Sequence, residues 1–478
     1  MRPTLPASLL FRLSELVAAQ TGLYFPQGRW GDLERGIAAA APDFNFSDVG
    51  ACANWLLSAP LTRGMHEILA SHLSVGETYF FREKQSLEII GQDILPQLLE
   101  SRREERRLRF WSAGCCTGEE AYSIAILLDR IIPEPAAWNI TILATDFNPK
   151  FLRKAALGKY GEWSFRDAPN WLRERYFTKG KDGCYEIHPR IRKMVTFSYL
   201  NLAEDIYPSL SNNTSAIDVI LCRNVMMYFT PQRTNQVVGN FYRALLEGGW
   251  LVVSPTEASN TLLFPFKPVE FAGAVLYRKS ADAGLQPCAS VLSVWQQPEA
   301  IEVPLAIAAD VAIMAQAEPA DAAAISELPP VQEISLQTGD SVIATRMARD
   351  CADKGKLGEA MDWCNKAIAA DKLAPAHHYL SATILQEQGQ HEAAIHALVR
   401  ALYLDPDFVL AHFALGNLNQ SQGRYREAQR NFGNVLLLLR NHPPGEPLPE
   451  ADGLTAGRLA EIVASLLESL PHPATAAA

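Results

Sequence analysis

The apolar positions of this chain change period several times, and each change predicts a new kind of element. From Leu5 to about Ser74 the period is helical: LLFRLSELVAAQTGL places Leu9, Leu13, Leu16 and Val17 on one face, and Ala51–Leu57 and Met65–Leu73 repeat the pattern. This predicts a helical N-terminal domain, residues 1–83. LSVGETYFFRE (Leu73–Glu83) follows, then a helix from Gln85 to about Glu100 and a mixed-sign run, Arg102–Arg107, which reads as a solvated linker.

Short apolar strands then alternate with helices. Leu108–Trp111 is a strand, Ser112–Gly118 a small-residue turn, and the next helix carries Ile124 to Leu128. Strands follow at Ile140–Ala144 (ending in Thr145 and Asp146), Val195–Tyr199 (before Asn201 and Leu202), and Ile217–Cys222 (before Arg223 and Asn224). A helix from Gln232 to Leu246 leads to strand Trp250–Ser254, and Ala274–Lys279 is expected as an antiparallel partner at the sheet end. The alternation predicts an α/β domain with a doubly wound, Rossmann-like sheet over residues 84–280. Residues 157–193, rich in aromatics and charge, form an insertion.

Beyond the sheet the pattern lapses and then returns as a repeat. Ser280–Thr345 holds no Lys or Arg but many Ala, Pro and acidic residues, so 281–340 reads as an acidic linker. Gly355, Gly389 and Gly423 are then 34 residues apart, as are Ala360, Ala394 and Ala428, and Tyr379 shares a register with Phe413. That period is the tetratricopeptide signature and predicts an α-solenoid of three repeats over 341–440. Residues 441–478 supply a Pro-rich segment, an amphipathic capping helix at Leu454–Leu470 and a tail.

Composition narrows the class. At 478 residues the chain has room for several cores, and no apolar run approaches a membrane span, so no membrane insertion is expected. No export signal opens the sequence, and the 8 scattered cysteines show neither disulfide nor zinc spacing; a cytoplasmic, metal-free protein is the expectation. A net charge of -10 argues against nucleic acid as a partner.

The chemistry concentrates where the first strand turns into its helix, because such a corner gathers unpaired N–H groups and a positive helix end. AGCCTGEE lacks the GxGxxG of a pyrophosphate cradle, which disfavours a nicotinamide oxidoreductase. Glu119 and Glu120 suit a cationic ligand, the alternative being that both merely favour the helix dipole. Asp146, at the end of the second strand, is placed to accept from ribose hydroxyls, the alternative being a cap on the helix Pro149–Ala156. A sulfonium nucleoside with an α-amino group, S-adenosylmethionine, satisfies these features better than a dinucleotide.

ETYFFRE, WSAGCCTGEEAYSIAILL, ATDFNPKFLRKA, ILCRNVMMYF and GGWLVVSPTE, in this order, resemble the CheR family of chemotaxis receptor glutamate O-methyltransferases, over about Leu9–Lys279. Members joined to tetratricopeptide repeats are known. The resemblance implies that Thr78 and Arg82 reach the cofactor and substrate site and that Glu120 (Glu119 less so) contacts the methionine amino group. It implies Asp146 on the ribose, Asn201, Leu202, Cys222 and Arg223 beside the adenine, and Tyr228 facing the transferable methyl. Arg82 and Tyr228 are the expected catalytic pair, and S-adenosylhomocysteine the product. Gly76 stands where the family pattern has asparagine. The implied substrate is a methyl-accepting chemoreceptor signalling domain, esterified on glutamates, with recruitment to receptor arrays. In some relatives the insertion grips a receptor's C-terminal peptide; the sequence does not decide whether 157–193 does. The repeats offer a groove for a peptide or helix partner. The rival is a non-catalytic scaffold.

Overall fold

The computed structural model describes residues 5–58, 61–209, 212–259, 262–280, 337–450 and 454–470. Four helices open the chain: α1 (Ala7–Thr21), α2 (Trp30–Ala40), α3 (Val49–Leu56) and α4 (Arg63–Leu73). Leu9, Leu13 and Val17 are buried, as the helical period predicts, and join Leu33, Ile37, Cys52 and Leu69 in one core. The next helix runs from α5 (Lys84–Ile89) to α6 (Leu95–Ser101) through a π turn at Ile90–Ile94. The run behind it is solvated through its middle, Arg103–Arg106, as expected, but its two ends are held. Arg102 Nε donates to Asp218 Oδ1 at 3.0 Å and Arg107 is 4% exposed, because distant elements bring the counter-charges that a local reading cannot see.

The central domain builds β1 (Arg107–Ala113), α7 (Glu119–Ile131), β2 (Asn139–Asp146) and α8 (Pro149–Leu157). An insertion follows, with β3 (Lys159–Tyr160), α9 (Asn170–Tyr176), β4 (Phe177–Lys179), β5 (Tyr185–Ile187) and α10 (Pro189–Arg192). The main sheet resumes with β6 (Val195–Tyr199), β7 (Ile217–Leu221), α11 (Pro231–Ala244), β8 (Leu245–Val252), β9 (Lys267–Phe271) and β10 (Ala274–Arg278). Its strand order is β6-β2-β1-β7-β8-β10-β9, parallel from β6 to β8. β1 is buried at every position, since α7 covers one face with Ile124 and Leu128 and α11 covers the other with Val237 and Phe241.

One sequence expectation needs correction here, and the insertion gains a structure. β10 does pair antiparallel with β8, but it is not the sheet end; β9 lies outside it. KPVEF escaped notice because an edge strand tolerates Pro268 and leaves much of its length exposed. The insertion is a small antiparallel sheet, β3-β5-β4, and it captures Phe80, whose ring lies 4.9 Å from Tyr160 and 5.0 Å from Phe165 and Phe177. The aromatic insertion therefore anchors the loop that carries Arg82.

The repeats are three helix pairs: α12 (Gln337–Asp353) with α13 (Leu357–Ala370), α14 (Pro375–Glu387) with α15 (His391–Leu404), and α16 (Val409–Ser421) with α17 (Tyr425–Leu439). Gly355, Gly389 and Gly423 make the turns within pairs at φ 73, 73 and 76°, the left-handed conformation that terminates each first helix. Ala360, Ala394 and Ala428 are fully buried where the helices touch. α18 (Ala456–Ser469) closes the stack. The acidic linker falls almost wholly on 281–336, outside the described residues. The stack rests on the amino edge of the main sheet: Glu387 pairs with Arg107 at 3.0 Å and with Arg109, and Asn139 Nδ2 donates to the Glu387 carbonyl at 3.1 Å.

Candidate functional site

At the opposite, carboxyl edge of the sheet a cleft of about 1100 Å³, counted to its open mouth, is shared by the N-terminal helices and the sheet loops. Open α/β sheets bind ligands at this edge. β1 ends in Gly114, whose φ of 85° and close approach to the Val225 side chain leave no room for a Cβ. The backbone N–H groups of Gly114 and Cys115 donate to the Thr145 carbonyl at 2.8 and 2.9 Å, which fixes the turn against β2.

Asp146 sits at the tip of β2, 7% exposed. Its Oδ2 accepts from Cys116 N–H at 2.9 Å and its Oδ1 from Asn148 N–H at 2.8 Å. Each oxygen keeps acceptor capacity for a ligand hydroxyl. Burial pushes its carboxyl up to about 6, outweighing the backbone bonds from Asn148 and Cys116 that favour the charge. Asp146 is not the cap of α8. Asn148 is: its Oδ1 accepts from Lys150 N–H at 3.0 Å, which frees Asp146 to bridge two loops.

The paired glutamates have separate tasks. Glu119 is 1% exposed and turned inward, accepting from Thr117 Oγ1 at 2.6 Å and Ser164 Oγ at 3.0 Å, so it ties the insertion to the turn and does not face the cleft. Glu120 lines the cleft; Ser112 Oγ donates to it at 2.7 Å and Arg223 Nη1 at 3.2 Å. Burial raises its carboxyl above the ordinary range, against the Arg223 charge. Arg223 also donates through Nη2 to Glu83 Oε2 at 3.0 Å and to the Arg82 carbonyl. One guanidinium thus serves two carboxylates and holds the TYFFRE loop on the sheet.

Of the residues singled out from sequence, Thr78, Arg82, Glu120, Asp146, Asn201, Leu202, Arg223 and Tyr228 all line this cleft. Cys222 does not. It is fully buried beneath the rim, its N–H donating to the Val252 carbonyl at 2.9 Å, and the next three residues reach the cleft in its stead. Asn201 donates through Nδ2 to the Gln20 carbonyl at 2.9 Å, binding α1 to the sheet. Arg82 Nη1 donates to the Glu77 carbonyl at 2.5 Å and no carboxylate pairs with it among the described residues, since Glu77 pairs with Arg166 and Glu83 with Arg223. Arg82 also lines the cleft. Where the family pattern has asparagine, a Cβ on Gly76 would lie 2.7 Å from the Phe151 ring, which occupies that wall.

Three contributors were not legible. Glu257 accepts from Asn224 and Val225 N–H, both at 2.7 Å, and from Ser254 Oγ at 2.6 Å, fixing the loop that presents Tyr228. Arg29 lies 5.4 Å from the Tyr228 ring centroid, and Phe147 lines the wall. The nearest signal was Glu257 in SPTE, which the resemblance covers without a role.

A cleft at the carboxyl edge of a parallel sheet, with a buried acidic residue at the tip of the second strand, is the setting of the family that sequence comparison identifies, the S-adenosylmethionine-dependent methyltransferases of CheR type. The description "CheR methyltransferase, SAM binding domain" matches residues 76–271, and "TPR repeat" matches 382–423. A chemotaxis protein methyltransferase 2 of Vibrio cholerae is 34% identical over 207 residues, which is 43% of this chain and 70% of that one. A chemotaxis protein methyltransferase of Borreliella burgdorferi is 33% identical over 40% of this chain and 66% of its own length. A probable biofilm formation methyltransferase WspC of Pseudomonas aeruginosa is 28% identical over 374 residues, 77% of this chain and 85% of that protein. The chain belongs to the CheR methyltransferase family and carries tetratricopeptide repeats at its C-terminal side. No helix among the described residues is long and apolar enough to cross a membrane, and no group of side chains among them is arranged to hold a metal ion.

Proposed function

We propose that this protein transfers a methyl group from S-adenosylmethionine to glutamate side chains of a methyl-accepting chemoreceptor signalling domain, giving glutamyl methyl esters and S-adenosylhomocysteine. The observation that carries the reading is the joint presence of Asp146, Glu120, Arg82 and Tyr228 on one cleft at the carboxyl edge of the sheet. The residues fit the cofactor: Asp146 has acceptor capacity for a ribose diol, Glu120 would hold the α-amino group, and Asn201 and Leu202 would flank the adenine. When bound, S-adenosylmethionine supplies an electrophilic methyl on a sulfonium.

The protein's own part is positioning. A glutamate carboxylate is already ionised near neutral pH, so it attacks without a general base. Arg82, with donors free of carboxylates, orients that carboxylate by charge-assisted bonds. Tyr228 walls the path of approach and helps exclude water. Alignment of this kind supplies at most ~7 to 11 kcal/mol. The repeats hold a peptide or helix of the receptor or its array, raising the local substrate concentration in the cytoplasm.

The test is transfer of a labelled methyl group to a chemoreceptor signalling domain, scored as base-labile methanol. Release supports carboxyl esterification. Cofactor binding with alkali-stable label would point to another acceptor, and a chain that neither binds S-adenosylhomocysteine nor releases methanol would be a scaffold.

A further inference from the structure

Arg82 shares its loop with two acidic residues, Glu77 and Glu83, and each of them is taken by an arginine from another segment. Glu83 pairs with Arg223 at 3.0 Å. Glu77 pairs with Arg166 of the insertion, although Arg82 is close at hand: its Nη1 donates to the Glu77 carbonyl at 2.5 Å. That carbonyl and the Glu77 carboxylate belong to one residue and are joined by a short, flexible stem. A change of rotamer would therefore bring the carboxylate to the Arg82 guanidinium. The Glu77 side chain is 54% exposed and has room for that rotation.

Arg166 holds the carboxylate elsewhere. Its own side chain is only 18% exposed and lies over the Tyr79 ring at 3.8 Å and the Trp163 ring at 4.6 Å. Nη1 donates to the Trp163 carbonyl at 2.9 Å, and Nη2 takes the Glu77 carboxylate. Arg82 lies farther from the same tyrosine ring, at 5.8 Å. A guanidinium that is stacked and already bonded on one edge has little freedom left to lose when it meets a carboxylate, which favours Arg166 over Arg82 as the partner. The backbone keeps the two segments side by side, since Phe80 N–H donates to the Ser164 carbonyl at 2.9 Å.

We propose that Arg166 is a positioning residue for methyl transfer: by holding the Glu77 carboxylate it keeps Arg82 open to the carboxylate of the substrate. This deepens the reading of Arg82 given above and rests on it. Without Arg166, Glu77 becomes a tethered competitor for Arg82, at an effective concentration on the order of millimolar. Each substrate glutamate must then displace it, and the apparent affinity for the acceptor falls by the fraction of time Arg82 is unpaired.

The experiment measures methyl transfer by the full chain to a chemoreceptor signalling domain, with the acceptor concentration varied. Arg166→Ala should lower kcat/KM for the acceptor about tenfold, chiefly through KM, while affinity for S-adenosylhomocysteine stays within about twofold. Arg166→Gln, which keeps the stacked stem, is the second variant, and the melting transition of each verifies folding. Adding Glu77→Gln to either should restore kcat/KM to near the parental value, because the amide does not compete as an anion. A loss that Glu77→Gln leaves in place makes Arg166 a structural support only and overturns the proposal, as does parental kcat/KM in Arg166→Ala. Near-parental transfer by Arg82→Ala would instead bring down the reading of Arg82 on which the proposal rests. A second readout needs no acceptor: labelling of Arg82 by phenylglyoxal, mapped by mass spectrometry, should slow in Arg166→Ala and recover when Glu77→Gln is added. Equal labelling in all three chains overturns the proposal. If the parent transfers nothing, the reaction reading falls, and the labelling alone decides whether Arg166 keeps Arg82 open.

Discussion

The two edges of the main sheet solve one electrostatic problem in opposite ways. At the carboxyl edge a single guanidinium, Arg223, serves two carboxylates, Glu83 and Glu120. At the amino edge a single carboxylate, Glu387, serves two guanidiniums, Arg107 and Arg109. The first arrangement presents one of its two carboxylates, Glu120, to an open cleft. The second is shut between the sheet and the repeats, and burial lowers both arginines from their ordinary values, Arg109 most. Charge beside an open cleft can meet a ligand, whereas charge sealed between two layers makes a joint.

Breaking the joint gives the largest effect. Glu387→Ala leaves Arg107 and Arg109 without their shared partner, and removing one side of a buried pair typically costs about 3–5 kcal/mol. The expected outcome is an undocked stack or a much lower melting temperature, read by small-angle scattering and calorimetry. Glu387→Gln keeps the shape and should lose part of this. A melt unchanged within error would show that the joint does not hold the two layers together.

Changes at the ligand edge should spare the joint. Arg223→Lys removes the fork that spans Glu83 and Glu120, since an ammonium cannot reproduce that planar geometry. The TYFFRE loop then loosens, and affinity for S-adenosylhomocysteine should fall on the order of a hundredfold in titration calorimetry. Arg82→Ala separates binding from transfer: methyl transfer should drop by about a hundredfold, an ordinary loss for one orienting group, with cofactor affinity within a few-fold. Near-normal turnover in Arg82→Ala would remove Arg82 from the reaction.

The two edges also differ in how far the sequence disclosed them. Asp146 was legible because it ends a strand and Glu120 because it opens the helix that follows one, whereas Tyr228 was reached only through the family resemblance. Glu119 was misleading for a physical reason: adjacent helix positions point about 100° apart, so a vicinal pair cannot both face one cleft. Arg107 and Arg109 read as solvated charge and as strand filler, since their partner lies about 280 residues away. Glu257 was hidden similarly, because it satisfies backbone N–H groups some thirty residues earlier. The 34-residue period disclosed the solenoid, but nothing in a period says which sheet edge it will rest on.

The mildest perturbation is protonation of Asp146. Its carboxyl sits near pH 6, raised from 3.8 by burial. Between those values the folded, ligand-free protein holds a proton that the unfolded chain has lost, so this group makes stability fall as pH rises through that window. Ligand binding has the opposite sign, because ribose hydroxyls donate to the ionised carboxylate and a protonated one offers less. Affinity for S-adenosylhomocysteine should be flat above about pH 7 and weaken below 6, approaching tenfold per unit as the ionised fraction falls. In Asp146→Asn that pH dependence should vanish at a uniformly weaker affinity. Burial raises Glu120 as well, against the neighbouring Arg223 charge, so a surviving acid limb in the asparagine variant would assign the titration to Glu120.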